Sequence, residues 1–99
     1  MINLNKSNFK DEVESSKIPV IVDFWAEWCG PCKMLTPVFE EVSKDFNGKM
    51  KFAKIDVEKE EDLAKKFVVR GIPCLIIFKN GKEVERIIDL TDYVYKIFG

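Results

Sequence analysis

The chain has 99 residues, 46% hydrophobic and 33% charged, with 16 basic against 17 acidic side chains. That length supports one hydrophobic core, hence one domain over residues 1–99, and is too short for two. The balanced charge leaves no basic stripe for nucleic acid, and no apolar run approaches the ~20 residues of a membrane span, so neither is an expected partner.

The opening segment MINLNKSNFKDEV lacks the apolar stretch of a signal peptide. The simplest compartment is therefore cytoplasmic, where a permanent disulfide is uncommon. MINL reads as a short strand. In the next segment Phe9 and Val13 lie four apart, with Asn5 or Ser7 before them as a cap, which predicts a short helix. Val20–Trp25, VIVDFW, is nearly all apolar and β-branched or aromatic, the pattern of a strand buried on both faces. From Pro31 the period changes. Met34, Leu35, Val38, Phe39, Val42 and Phe46 recur at helical spacing, with Lys33, Glu40, Glu41 and Lys44 opposite, until Asn47-Gly48 ends the helix. Pro37 inside this helix removes one backbone donor. MKFAKIDV, Met50–Val57, alternates as a strand does, and Leu63, Ala64, Phe67 and Val68 mark a second helix. CLIIF, Cys74–Phe78, is another buried strand. Asn80-Gly81 is a strong hairpin signal before a returning strand, EVERIID. TDYVYKIF reads as a last helix, capped by Thr91, with Tyr93, Val94, Ile97 and Phe98 facing inward. Strand–helix–strand units pair in parallel and a hairpin pairs antiparallel. The expectation is an α/β domain: a central mixed sheet of about five strands flanked on both faces by about four helices.

Three cysteines and no histidine are present. Cys29 and Cys32, three apart, could be a metal clip, a structural staple or a redox pair. An odd count leaves one cysteine over from a pure staple. The lack of histidine weakens a zinc reading, since closed structural sites have four sulfur or nitrogen ligands, and no metal site is expected. The pair stands where a buried strand turns into a helix, and residues three apart in a first helical turn are close enough for a reversible disulfide. Cys29 lies at the helix N-terminus, where free N–H groups and the helix dipole favour negative charge. Its thiol is expected to titrate below the free value of about 8.5. Cys32, one turn further in, is expected to be more buried and less acidic. Cys29 is thus the candidate nucleophile and Cys32 the resolving thiol. Gly30 leaves room for a substrate chain to approach, and Pro31 suits the first helical turn and stiffens the pair. Asp23 within VIVDFW must be nearly buried, which raises its pKa. Lys54 in FAKID is a candidate partner across the sheet.

WCGPCK after VDFWA, then GIPC about forty residues later and FKNGK after that, resembles the thioredoxin family over nearly the whole chain. The resemblance implies the thioredoxin fold and a general protein-disulfide reductase activity. It also implies disulfide-containing target proteins and electrons from a thioredoxin reductase, with no bound cofactor; a monomer is expected. It further implies that Asp23 lies beneath the disulfide as proton acceptor and donor for Cys32, its charge moderated by Lys54. Pro73 matches the family's cis proline. Trp28, Gly71, Ile72 and Pro73 would then form a flat apolar rim, on which the backbone of Ile72 pairs with an extended target segment. Trp25, at the end of the buried strand, is the better candidate for core packing.

Two features depart from the family pattern. Cys74 stands where threonine is usual, and is expected to fill the same space as a small buried side chain. The loop before the last helix has Asp89 and Leu90 and no glycine. A carboxylate there would oppose thiolate formation at Cys29 and repel acidic partners. An interaction module that binds partners without turnover is the alternative from another class, opposed by the intact pair together with Asp23 and Pro73.

Overall fold

The computed structural model describes residues 1–88; the expected last helix from Thr91, with Tyr93, Val94, Ile97 and Phe98, and the Asp89–Leu90 loop lie outside them. Among the described residues, five strands form one sheet in the order β1-β3-β2-β4-β5: β1 (Ile2–Asn3), β2 (Val20–Trp25), β3 (Lys51–Asp56), β4 (Cys74–Lys79) and β5 (Lys82–Ile87). β2 and β1 run parallel to β3, whereas β4 is antiparallel to both β2 and β5. The mixed sheet is therefore the one expected. Among the described residues three helical segments flank it, Lys10–Glu14, α1 (Gly30–Ser43) and α2 (Glu61–Lys66), and a tighter turn over Lys44–Phe46 extends α1.

Alternation along the strands sorts the core into two layers, because successive side chains on a strand point to opposite faces. Val20, Val22 and Phe24 of β2 join Ala53, Ile55, Cys74, Ile76 and Phe78 on one face, covered by Phe9, Val13 and Leu63. Ile21, Phe52, Leu75 and Ile87 face the other way, against Leu35, Phe39 and Val42 of α1. Phe24 and Phe39 are fully buried, and each such side chain contributes on the order of 1.5–3 kcal/mol. Phe9, Phe67 and Phe78 form a triangle of rings with centroids 5.1–5.9 Å apart.

α1 buries a narrower stripe than its apolar content suggests. Met34 and Val38 are exposed, because only Cys32, Leu35, Phe39 and Val42 fall on the line that meets the sheet. Asn5 Oδ1 accepts the N–H groups of Ser7 and Asn8 at 2.8 and 3.0 Å in a turn ahead of the first helical segment, but Phe9, not Asn5 or Ser7, precedes that segment, which is an i→i+5 turn closed by Ser15 on Lys10. α2 ends at Lys66, before Val68, which is exposed and left-handed at φ 53°. The hairpin turn is as expected, with φ of 54° at Asn80 and 78° at Gly81. A side chain at Gly81 would also press its Cβ to 3.2 Å from the Glu14 carbonyl, so both backbone and packing require glycine there.

Candidate active site

β2 and α1 meet in a turn that carries the cysteine pair. Cys29 donates its N–H to the Ala26 carbonyl at 3.1 Å and is extended (φ −88°, ψ 105°), as a residue preceding a helix must be. Pro31 then sits in the first turn of α1, where its missing N–H costs no helical hydrogen bond. The Cys29 Sγ takes the place of a capping oxygen and accepts the Cys32 N–H at 3.2 Å. The Cys29–Cys32 disulfide is formed, with Cα atoms 5.3 Å apart. Cys29 and Cys32 are both buried, Cys32 completely.

The pair packs with Ala26 in a small cluster, flanked by Trp25, Val57 and Ile72. The segment before β4 thus meets the disulfide cluster through Ile72, and the Ile72–Pro73 bond is cis, as the resemblance implied. Trp28 is 70% exposed and is not part of the cluster; it is not a core residue. Trp25, expected in the core, is half-buried instead, its ring beneath the Lys54 ammonium at 4.3 Å from the centroid. Gly30 and Gly71 are both exposed with open space where a Cβ would stand. Neither is required by packing, and the space beside each is available to an incoming chain.

Asp23 occupies the α1 face of β2, between Ile21 of the core and Trp25 beside the disulfide. Leu75 and Lys54 are its neighbours on the flanking strands. It is fully buried, and neither carboxyl oxygen has a hydrogen-bond partner among the described residues. Burial pushes its pKa up to about 7, and the Lys54 charge pulls weakly against that rise. The two residues are register partners, as expected, yet they form no ion pair, since the Lys54 ammonium lies over Trp25. A buried carboxyl group whose pKa is raised to about 7 is suited to acid–base work near neutral pH.

Cys74 is free and buried among Phe24, Ile76 and Phe78, and burial raises its thiol pKa. This is the packed side chain expected from the sequence. Among the described residues no group of three histidine, cysteine or acidic side chains is disposed to hold a metal. Cys74→Thr is expected to keep most of the activity and to shift the redox potential by less than about 30 mV, or about 1.4 kcal/mol for a two-electron couple. Cys74 itself should resist alkylation until the chain unfolds. Rapid labelling of native protein, or a larger potential shift, would bring this thiol into the mechanism.

Sequence reasoning missed Val57 and the environment of Arg86. Val57 donates its N–H to the Trp25 carbonyl at 2.9 Å and so continues the β2–β3 pairing to the disulfide. Its place just past the end of KFAKID was the available signal. Arg86 on β5 donates to the carbonyls of Phe67 and Val68, a contact for which the sequence carried no signal.

A reversible dithiol at the start of a helix, on a mixed α/β sheet with a cis proline against it, defines a dithiol–disulfide oxidoreductase. The thioredoxin family model matches residues 1–93. The chain is 47% identical to thioredoxin of Rickettsia felis over 88 residues, 89% of this chain and 84% of that protein. It is 46% identical to thioredoxin of Pseudomonas aeruginosa over 82% of this chain and 75% of that one, and 44% identical to thioredoxin 1 of a Nostoc species over 83% and 77%. The chain belongs to the thioredoxin family and has the thioredoxin fold. Its activity is thioredoxin-type protein-disulfide reduction through the Cys29–Cys32 pair.

Proposed function

We propose that the Cys29 thiolate attacks one sulfur of a target disulfide and displaces the other as a thiolate, forming a mixed disulfide. Cys32 then loses its proton to Asp23 and attacks the Cys29 sulfur. The second target thiolate leaves, and the Cys29–Cys32 disulfide closes. Two electrons pass to the target, and its two thiolates take up one proton from Asp23 and one from solvent, which received the proton of Cys29 when that thiol ionised. Lys54 keeps the Asp23 charge tolerable. Trp28, Gly30, Pro31, Gly71, Ile72 and Pro73 form the surface on which the target segment lies. Residues 1–99 act as one domain, in the cytoplasm and as a monomer, with no bound cofactor and with a thioredoxin reductase returning the electrons.

The observation that carries this reading is the capping position of the Cys29 Sγ. It already accepts a helix N–H, so a thiolate formed there is stabilised by the same donor and by the helix dipole. No helix among the described residues is long and apolar enough to cross a membrane. The test is insulin reduction with dithiothreitol, then with a panel of NADPH- and ferredoxin-dependent reductases in its place. Acceleration with dithiothreitol and with one reductase class is expected. No acceleration with dithiothreitol would favour a binding module.

A further inference from the structure

β5 contains a bulge. Glu83 stands opposite Phe78 and Glu85 opposite Ile77, so Val84 is an extra residue in the strand. In a regular strand Glu83 and Arg86, three apart, would point to opposite faces. The bulge resets the alternation and puts both on one face, where they join through two hydrogen bonds, Nε to Oε2 at 2.9 Å and Nη2 to Oε1 at 2.8 Å.

The guanidinium so held reaches the C-terminal end of α2. Its Nη2 donates to the Phe67 carbonyl at 2.6 Å and its Nη1 to the Val68 carbonyl at 3.2 Å. A cation belongs at this end of a helix, where carbonyls lack partners. Val68 is where the chain turns left-handed, a conformation rare for a β-branched residue. Five residues after Val68 the chain reaches Pro73, having passed Ile72, which packs on the disulfide cluster. Arg86 lines the same cleft as Gly71, Ile72 and Pro73. The Phe67 ring packs on Phe9, Phe24 and Phe78, and the Val68 and Val69 N–H groups bond back to the Lys65 and Ala64 carbonyls at 3.1 and 3.0 Å; Arg86 adds to these the bonds that tie the exit from α2 to β5.

We propose that Arg86, braced by Glu83 across the bulge, is a positioning residue for target docking: it fixes the exit from α2 and thereby the rim segment Gly71–Pro73. This rests on the reading that the rim receives the target chain. The clamp acts on extended protein segments. A small aromatic disulfide that reaches Cys29 without lying along the rim should depend on it much less.

The experiment measures insulin reduction at varied insulin concentration beside reduction of 5,5′-dithiobis(2-nitrobenzoic acid), for wild type, Arg86→Ala, Arg86→Lys, Glu83→Gln and Ile72→Ala. Arg86→Ala is expected to raise KM for insulin about fivefold with a smaller change in kcat, and to lower the insulin-to-small-disulfide rate ratio about fivefold. Arg86→Lys, which retains the charge but not the fork, should fall between. An unchanged ratio in folded Arg86→Ala overturns the proposal. If Arg86→Ala does not fold, Glu83→Gln decides: a smaller shift in the same direction supports the clamp, and an unchanged ratio overturns it. Ile72→Ala separates the two levels. If it raises KM while Arg86→Ala does not, the clamp alone fails; if it leaves KM unchanged, the docking reading and the clamp fail together.

Discussion

Cys32→Ser will hold target proteins as mixed disulfides through Cys29, and Cys29→Ser will hold none. The reason lies in the geometry of the pair. Cys29 ends the turn from β2 and caps α1, whereas Cys32 is fully buried behind it. A target sulfur meets Cys29 first. Release depends on a thiol fixed one helical turn away, and a well-oriented intramolecular group can reach an effective molarity of about 10⁵ M. Removing that thiol leaves only external thiols and lengthens the life of the mixed disulfide by orders of magnitude. Non-reducing gels of the two serine variants, after exposure to oxidised proteins, make the comparison. Equal trapping by both would remove the assignment of roles.

Asp23→Asn is expected to stabilise the protein above neutral pH and to slow release of the mixed disulfide. Burial raises the Asp23 pKa from 3.8 to about 7 in the folded chain. Between these values the folded state holds a proton that the unfolded state has lost. Stability therefore falls as pH rises from about 4 to 7, and the buried charge then costs about 4 kcal/mol at most. Asparagine keeps the shape and has no charge to bury. Urea unfolding at pH 8 should show Asp23→Asn more stable by about 2–4 kcal/mol, and the difference should shrink toward pH 4. Turnover should lose its pH dependence near 7. A variant that gains stability while keeping the wild-type pH profile would make Asp23 a structural residue only.

Much of this architecture is legible in the sequence where local and tertiary preferences agree. VIVDFW, apolar but for Asp23, and CLIIF read as continuous runs because both sheet faces are covered, and both strands begin where those runs begin. Asn80-Gly81 is legible because its turn needs positive φ at both residues, a local backbone requirement. The cysteine pair is legible because its chemistry depends on a local motif at a strand–helix junction. Asp23 is legible because a carboxylate inside an apolar run has few places to go.

Tertiary effects hide the rest. Apolar spacing alone does not show that the sheet meets only the Cys32–Leu35–Phe39–Val42 line of α1, so Met34 and Val38 read as core while lying exposed. Val68 continues the apolar pattern of α2, yet it lies beyond the helix in a left-handed turn, and the arginine bonded to its carbonyl is 18 residues away. The β5 bulge leaves no composition signal, so a strand reading places Glu83 and Arg86 on opposite faces. The register of Asp23 with Lys54 follows from parallel pairing. The position of the ammonium over Trp25 depends on a side-chain choice that the register does not determine.

The asymmetry of the two active-site thiols is tested most directly by alkylating the fully reduced protein with limiting iodoacetamide from pH 5 to 9 and mapping the label by peptide. Cys29 should take nearly all of it, with an apparent pKa below the ~8.5 of a free thiol, while Cys32 and Cys74 stay unmodified in the folded state. Labelling of Cys32 first, or of both thiols at equal rates, would contradict the account.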